Sequence, residues 1–206
     1  MLRCGLLGEK LGHSYSPEIH QMLAGYEYRL YERRAEELES FIRGGEWDGL
    51  NVTMPYKKAV LPFCDELGKR ARLSGSVNTL VRRADGSIYG DNTDMFGFES
   101  LLRVNGIDPA GMRALVLGNG GACASVRAVL DSLDAQTVVI SRRGEDNYNN
   151  LVRHRDAELI VNTTPLGMYP NNGMQAVDLT AFPNCRAVLD IVYNPARTAL
   201  LLQAEE

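Results

Sequence analysis

The chain has 206 residues, of which 45% are hydrophobic and 23% charged, and its formal net charge is −4. These values are typical of a globular protein with one large domain or two small ones. Proteins that bind nucleic-acid backbones usually carry a basic stripe, whereas the lysines and arginines here are dispersed, so no nucleic-acid partner is expected. No apolar stretch approaches the roughly 18 residues of a membrane span, so no membrane association is expected either.

The cysteines and histidines are scattered along the chain. The four cysteines form no CxxC pair, which is typical of reduced thiols and favours a cytoplasmic protein. The three histidines lack metal-ligand spacing, so no metal is expected. His13 is expected to be a loop residue without an assigned role.

The first part of the chain, to about residue 92, alternates between short apolar runs and helical patterns. LRCGLLG, EYRLYE and WDGLNVT predict strands, and AEELESFIRGG predicts a helix. Another helix is predicted to begin at Ser16-Pro17, because serine caps helices and proline suits the first helical position, with Ile19, Met22 and Leu23 on one apolar face. Further helices are predicted over 57–63 and 65–73, followed by a hairpin formed by SVNTLVRR and SIYGDN.

From about residue 93 the pattern starts again. DMFGFESLLRVNG predicts a helix, with Met95, Phe98 and Leu102 on one face. RALVL is continuously apolar, as in parallel strands that are buried on both faces, and TVVI, AELIVNTT and RAVLDIV predict more strands. We therefore expect an α/β fold of two domains, 1–93 and 94–206, the second with a parallel sheet.

A glycine-rich turn follows RALVL and precedes the predicted helix SVRAVLDSL. In a dinucleotide-binding βα unit, such glycines let backbone N–H groups approach a pyrophosphate at the helix N-terminus. The alternative is a turn that needs glycine for its shape alone. The predicted cofactor-binding residues here are Gly118, Asn119, Gly120, Gly121 and Ala122.

The next strand ends in Ser141-Arg142-Arg143. An NAD site would place an acidic residue there for the ribose 2′-hydroxyl, whereas guanidinium groups suit the 2′-phosphate of NADP. The alternative is a solvated basic turn, which Glu145 and Asp146 would balance. We predict that NADP is the cofactor and that Ser141, Arg142 and Arg143 bind it.

A series of motifs in this order resembles the shikimate dehydrogenases: SYSP at 14–17, NVTMPYK at 51–57, SVNTL at 76–80, DNTDMFG at 91–97, GNGGA at 118–122, VNTTPLGM at 161–168 and DIVYNP at 190–195. The resemblance implies reversible reduction of 3-dehydroshikimate to shikimate with NADPH, in aromatic amino-acid biosynthesis. It also implies a substrate-binding N-terminal domain and a Rossmann-like NADP-binding domain, with a cleft between them.

The resemblance assigns roles motif by motif. It implies that Lys57 and Asp94 are the catalytic pair. Substrate-binding residues would be Ser14 and Ser16 for the carboxylate, with Asn51, Thr53, Asn78, Asp94 and Tyr193 for the ring hydroxyls. Thr163 and Met168 would complete the cofactor site, with Met168 near the nicotinamide.

The residue types suit this chemistry. Reduction of a ketone places negative charge on its oxygen, which a neighbouring lysine can stabilise and protonate while a carboxylate keeps the lysine charged. Each assignment also has a structural alternative: Ser16 as a helix cap, Asp94 as a first-turn acid, and Lys57 as a solvated lysine.

The chain differs from the family at its end. Members usually continue for several dozen residues, through an Asn-Gly turn and a helix whose glutamine touches substrate, so we expect these C-terminal helices to be missing here. Ser76 also stands where the family tends to have alanine. The rival functions are a quinate/shikimate dehydrogenase that uses NAD, and a non-catalytic protein that binds NADP or shikimate. A monomer or a homodimer is compatible with the resemblance.

Overall fold

The computed structural model describes residues 2–12, 14–23 and 25–206, so His13 and its predicted loop lie outside the described residues. The chain divides into two compact units, Met1–Phe96 and Gly97–Glu206. Each unit has its own sheet and its own set of helices. The predicted α/β class is confirmed.

The N-terminal unit contains a mixed sheet of six strands in the order β2-β1-β3-β5-β6-β4. The strands are β1 (Arg3–Gly8), β2 (Glu27–Glu32), β3 (Gly49–Val52), β4 (Glu66–Leu67), β5 (Thr79–Arg82) and β6 (Ile88–Asp91). The helices are α1 (Ser16–Leu23), α2 (Leu38–Gly44), α3 (Lys69–Ser74) and the first turn of α4 (Asp94–Val104), with 3-10 turns at Ala35–Glu37 and Leu61–Phe63. β1 is parallel to β2 and β3, and β5 is antiparallel to β3 and β6, so the predicted hairpin is confirmed.

The core of this unit lies against the central strands. It contains Trp47, Ile42 and Leu7, which are fully buried together with apolar side chains of β3 and β5. Burying one large apolar side chain contributes about 1.5–3 kcal/mol relative to leaving it exposed. The core therefore fixes the strands on which the polar residues of the site stand.

Two local predictions in this unit are wrong. The helix predicted over 57–63 is a series of turns ending in a 3-10 turn, and the segment predicted as a helix over 65–73 contains strand β4 before the short helix α3. Helix α1 begins at Ser16 as predicted, yet none of its side chains is buried, and Met22 on its apolar face is 80% exposed.

The C-terminal unit is built on a fully parallel four-stranded sheet in the order β10-β9-β7-β8. Its strands are β7 (Arg113–Leu117), β8 (Gln136–Ile140), β9 (Leu159–Asn162) and β10 (Ala187–Asp190), and its helices are the remainder of α4, α5 (Gly121–Ser132) and α6 (Ala199–Glu205). Leu159, Ile160, Val161 and most of β7 are fully buried, as expected for parallel strands covered on both faces. The predicted Rossmann-like parallel sheet is confirmed.

The connection from β8 to β9 contains a 3-10 turn at Leu151–His154 and no α-helix, and a second 3-10 turn follows at Leu179–Ala181. Met95, Phe98 and Leu102 of α4 are buried, as their spacing predicts. Across the described ranges, no helix is long and apolar enough to cross a membrane.

Candidate active site

Lys57 and Asp94 form an ion pair in the N-terminal unit. The Nζ of Lys57 donates to Oδ2 of Asp94 at 2.6 Å. The two side chains are only 16% and 32% exposed, so their attraction is screened less than that of a surface pair. Asp94 stands in the first turn of α4, where a negative charge interacts favourably with the helix dipole. The pair is thus partly shielded from water, and the Asp94 carboxylate is stabilised both by Lys57 and by the dipole of α4.

The Asn78 side chain fixes the other oxygen of Asp94. Its Nδ2 donates to Asp94 Oδ1 at 2.8 Å and to Thr93 Oγ1 at 3.0 Å. Its Oδ1 accepts from the Thr93 N–H at 2.9 Å, and the residue is 8% exposed. Both carboxylate oxygens of Asp94 are therefore engaged, one by a cation and one by an amide.

The predicted substrate residues stand at and beyond the ends of β1 and β3. Asn51 is on β3, and its Oδ1 accepts from the Tyr28 hydroxyl at 2.7 Å. Thr53 follows the same strand, where its N–H donates to the Leu7 carbonyl of β1 at 2.9 Å. The hydroxyl of Ser14 accepts from the N–H of Ser16 at 3.2 Å, at the start of α1. Hydroxyl and amide groups of this kind both donate and accept hydrogen bonds, as a polyhydroxylated acid requires.

The glycine turn after β7 has the shape that a dinucleotide needs. Gly118 has φ +107°, and a Cβ there would lie 2.9 Å from Thr163 Oγ1, so the turn itself requires glycine. Gly120 precedes α5 in extended conformation, and no atom lies within 4 Å of where its Cβ would be. The N-terminus of α5 is therefore open to an anion, next to Gly121 and Ala122.

A cavity of about 420 Å³ adjoins this turn and is lined by Asn119, Arg142 and Arg143. Both guanidinium groups are exposed, and neither forms an ion pair with a carboxylate of the described residues. Asp146, which could have balanced them, accepts instead from His154, whose Nε2 lies 2.8 Å from Asp146 Oδ1.

The loop that carries the arginines is closed by a small number of hydrogen bonds. The N–H of buried Ser141 donates to the Asp146 carbonyl at 3.2 Å, and the other ring nitrogen of His154 bonds Arg113 of β7 at 3.0 Å. His154 is itself buried and so ties the loop to the sheet. The cationic pair is held in place while its charge stays available for an anion.

The remaining predicted residues lie in the C-terminal unit. Thr163 follows β9, and its hydroxyl donates to the Leu117 carbonyl at 2.6 Å. Met168 is 40% exposed and Tyr193 69% exposed. Their roles toward cofactor and substrate stay predictions.

Sequence reasoning did not single out four polar residues that organise the predicted site residues: Asn162, Asp190, Thr198 and Tyr28. Asn162 is buried and donates to Asp190 Oδ1 at 3.0 Å, and the Thr198 hydroxyl donates to Asp190 Oδ2 at 2.8 Å, which joins β9, β10 and the start of α6. The sequence pattern places Tyr28 only as part of a strand. Asn162 and Asp190 each follow a run of apolar residues at the carboxyl end of a parallel strand, and that position was the available signal.

Comparison with known proteins agrees with this geometry. The family profile described as the shikimate dehydrogenase substrate binding domain matches residues 6–80. A shikimate dehydrogenase (NADP(+)) of Methanopyrus kandleri is 37% identical over 98% of this chain and 81% of its own length. The chain belongs to the shikimate dehydrogenase family.

Solved structures of the family superpose over the whole chain. Shikimate dehydrogenase 1 from Peptoclostridium difficile has a TM-score of 0.89 at 32% identity, covering 100% of this chain and 83% of that one. The shikimate 5-dehydrogenase from Thermus thermophilus, solved in complex with NADP(H) and shikimate, has a TM-score of 0.83 at 30% identity, covering 100% and 84%. The family resemblance inferred from the motifs is confirmed.

Proposed function

We propose that this chain catalyses the reversible, NADP-dependent reduction of 3-dehydroshikimate to shikimate, in the route to aromatic amino acids. The observation that carries the proposal is the shielded Lys57–Asp94 pair, with Asn78 on the second carboxylate oxygen. Family membership supports the same reaction. A protein that only bound shikimate would not need an oriented proton donor of this kind.

Reduction of the ketone requires a hydride at the carbonyl carbon and a proton at the carbonyl oxygen. NADPH, when bound, supplies the hydride. Lys57 stabilises the negative charge that develops on the oxygen and gives it the proton, and in the reverse direction it accepts the proton of the hydroxyl. Asp94 keeps the ammonium group in place, because Asn78 and the helix dipole hold the carboxylate itself.

The polar residues around this pair bind the substrate. Ser14 and Ser16 bind the carboxylate, and Asn51, Thr53 and Asn78 bind the ring hydroxyls. The positions of these residues at neighbouring strand ends and at the start of α1 support these roles. The motif resemblance adds Tyr193 as a substrate residue.

The cofactor site is the glycine turn of the C-terminal unit. Its open helix N-terminus fits a pyrophosphate, and the unpaired arginines beside Asn119 fit the 2′-phosphate of NADP. Ser141 and Thr163 shape the surrounding loops, and Met168 is assigned to the nicotinamide. The N-terminal unit, Met1–Phe96, is then the substrate-binding domain, and the C-terminal unit, Gly97–Glu206, is the NADP-binding domain.

We place the enzyme in the cytoplasm, as its scattered cysteines without a CxxC pair suggest, and expect a monomer or a homodimer.

The experiment is to incubate the chain with shikimate and either NADP or NAD at matched concentration, following formation of the reduced nicotinamide. Turnover with a preference for NADP is expected, and Lys57→Met serves as the inactive control. Equal or better turnover with NAD, or with quinate in place of shikimate, would favour the quinate/shikimate dehydrogenase. Binding of NADP and shikimate by calorimetry without any turnover would favour the non-catalytic protein.

A further inference from the structure

Tyr28 contacts a residue of the substrate site without belonging to any of the motifs that define that site. Its hydroxyl donates to Asn51 Oδ1 at 2.7 Å. We propose that Tyr28 is a positioning residue of the substrate site, which acts by fixing the orientation of the Asn51 amide. The proposal rests on the proposed function, because it concerns the same substrate.

The contact reaches across a whole strand. Tyr28 is on the edge strand β2, Asn51 is on β3, and β1 lies between them. Cys4 of β1 is in register with Tyr28 on one side and with Gly49 on the other, so the tyrosine side chain passes over β1 to reach Asn51. Because β2 and β3 are not neighbours, no backbone hydrogen bond joins them. The Tyr28–Asn51 bond links the two strands through their side chains on one face of the sheet.

The tyrosine ring is itself restrained. It stacks on the His20 ring of α1, with centroids 3.9 Å apart and an interplanar angle of 12°. His20 is in turn hydrogen-bonded through Nδ1 to the Tyr26 hydroxyl. A tyrosine hydroxyl is protonated at neutral pH, and burial raises the pKa of Tyr28 further, to about 12, so the hydroxyl is available as a donor. A ring that is held on one side and protonated throughout is suited to fix a hydrogen-bond partner.

The consequence for Asn51 follows from amide chemistry. An asparagine side chain offers an acceptor oxygen and a donor nitrogen, and either could face the substrate. Because Oδ1 accepts from Tyr28, Nδ2 is the group left to donate to a ring hydroxyl oxygen. Without the Tyr28 hydroxyl the amide could present either face, and part of its binding free energy would be lost.

The test compares Tyr28→Phe with Tyr31→Phe. Tyr31 is on the same strand and would also lose only a hydroxyl group, but its ring packs against Phe41 at the core and not at the substrate site. Shikimate affinity is measured by calorimetry, together with KM for shikimate, KM for NADP and kcat. For Tyr28→Phe we expect weaker shikimate binding and a KM raised by about three- to tenfold, the effect of one lost hydrogen bond. KM for NADP and kcat should stay near those of the parent chain, because Asn51 binds the ground and transition states alike.

A second comparison separates positioning from general damage to the fold. In an Asn51→Ala background, Tyr28→Phe should have almost no further effect on shikimate affinity, because the group through which it acts is gone. An unchanged shikimate KM in Tyr28→Phe, or the same fold-loss in both backgrounds, would overturn the role of Tyr28 while leaving the proposed function intact. A parent chain that neither binds nor oxidises shikimate would overturn the proposed function, and the role of Tyr28 with it.

Discussion

Replacement of Lys57 by methionine removes the ammonium group while keeping most of the side-chain volume. A charge-assisted donor to a developing oxyanion contributes about 2.7–4 kcal/mol, and a positioned proton donor typically contributes a factor of about 10²–10⁴. Lys57 serves both purposes with one group, so the two effects overlap and do not add. We therefore expect kcat to fall by about 10²–10⁴, with a much smaller change in KM for shikimate.

The structure also sets the cost to stability. Asp94 would lose its partner at 2.6 Å but keep the Asn78 amide and partial contact with water. The expected loss is about 1–3 kcal/mol, between the values for exposed and buried ion pairs. A melting curve of the variant must therefore still show a folded protein at the assay temperature.

Steady-state oxidation of shikimate with NADP measures the effect. Lys58→Met is the matched control, because Lys58 is the next residue, is exposed, and forms no ion pair among the described residues. An unchanged kcat in Lys57→Met, or an equal loss in Lys58→Met, would refute the assignment of Lys57.

Arg142→Ala should raise KM for NADP while sparing NAD, whereas the exposed Arg153→Ala should leave both unchanged; equal losses with both cofactors would contradict binding of the 2′-phosphate. Gly118→Ala should lower the free energy of unfolding by about 1–3 kcal/mol and weaken NADP binding, because the φ of +107° at residue 118 disfavours a side chain. Gly120→Ala, where a Cβ would meet open space, is the control in thermal unfolding. Tyr28 holds its proton up to about pH 12 in the folded chain, against an ordinary pKa of 10.0. The contribution of the protonated Tyr28 to the unfolding free energy is therefore fully present below pH 10 and is lost as the pH rises through 12. The unfolding free energy of Tyr28→Phe should fall less steeply than that of the parent chain over this pH interval. The unfolding free energy is measured by denaturant titration at several pH values. The same pH dependence in Tyr28→Phe and in the parent chain would argue against a raised pKa of Tyr28.

The C-terminal unit could be predicted from sequence because its strands carry their own signal. ALVL at 114–117 and LIV at 159–161 are unbroken apolar runs, and the structure buries both completely in a parallel sheet. The glycine turn was equally readable, since Gly118 needs a positive φ that few residues adopt. In both places the local sequence preference and the tertiary environment favour the same conformation.

Side-chain contacts between distant positions could not be predicted in the same way. Tyr28 meets Asn51 only because the sheet order places β1 between β2 and β3. Strand periodicity gives the face on which a residue stands but does not give the neighbour of its strand.

The error over residues 57–63 and the geometry of the catalytic lysine have one physical cause. In a helix beginning there, the Lys57 carbonyl would accept from the N–H four residues later. It accepts instead from the Val77 N–H at 2.7 Å, while the Asn78 N–H donates to the Asp91 carbonyl at 3.1 Å and the Val52 N–H donates to the Asn78 carbonyl at 2.7 Å. These tertiary bonds override a helical pattern in the local sequence. They also hold the turn that carries Lys57 next to Asn78 and to the start of α4. The same backbone bonds that prevent a helix over 57–63 therefore place the Lys57 ammonium group beside Asp94.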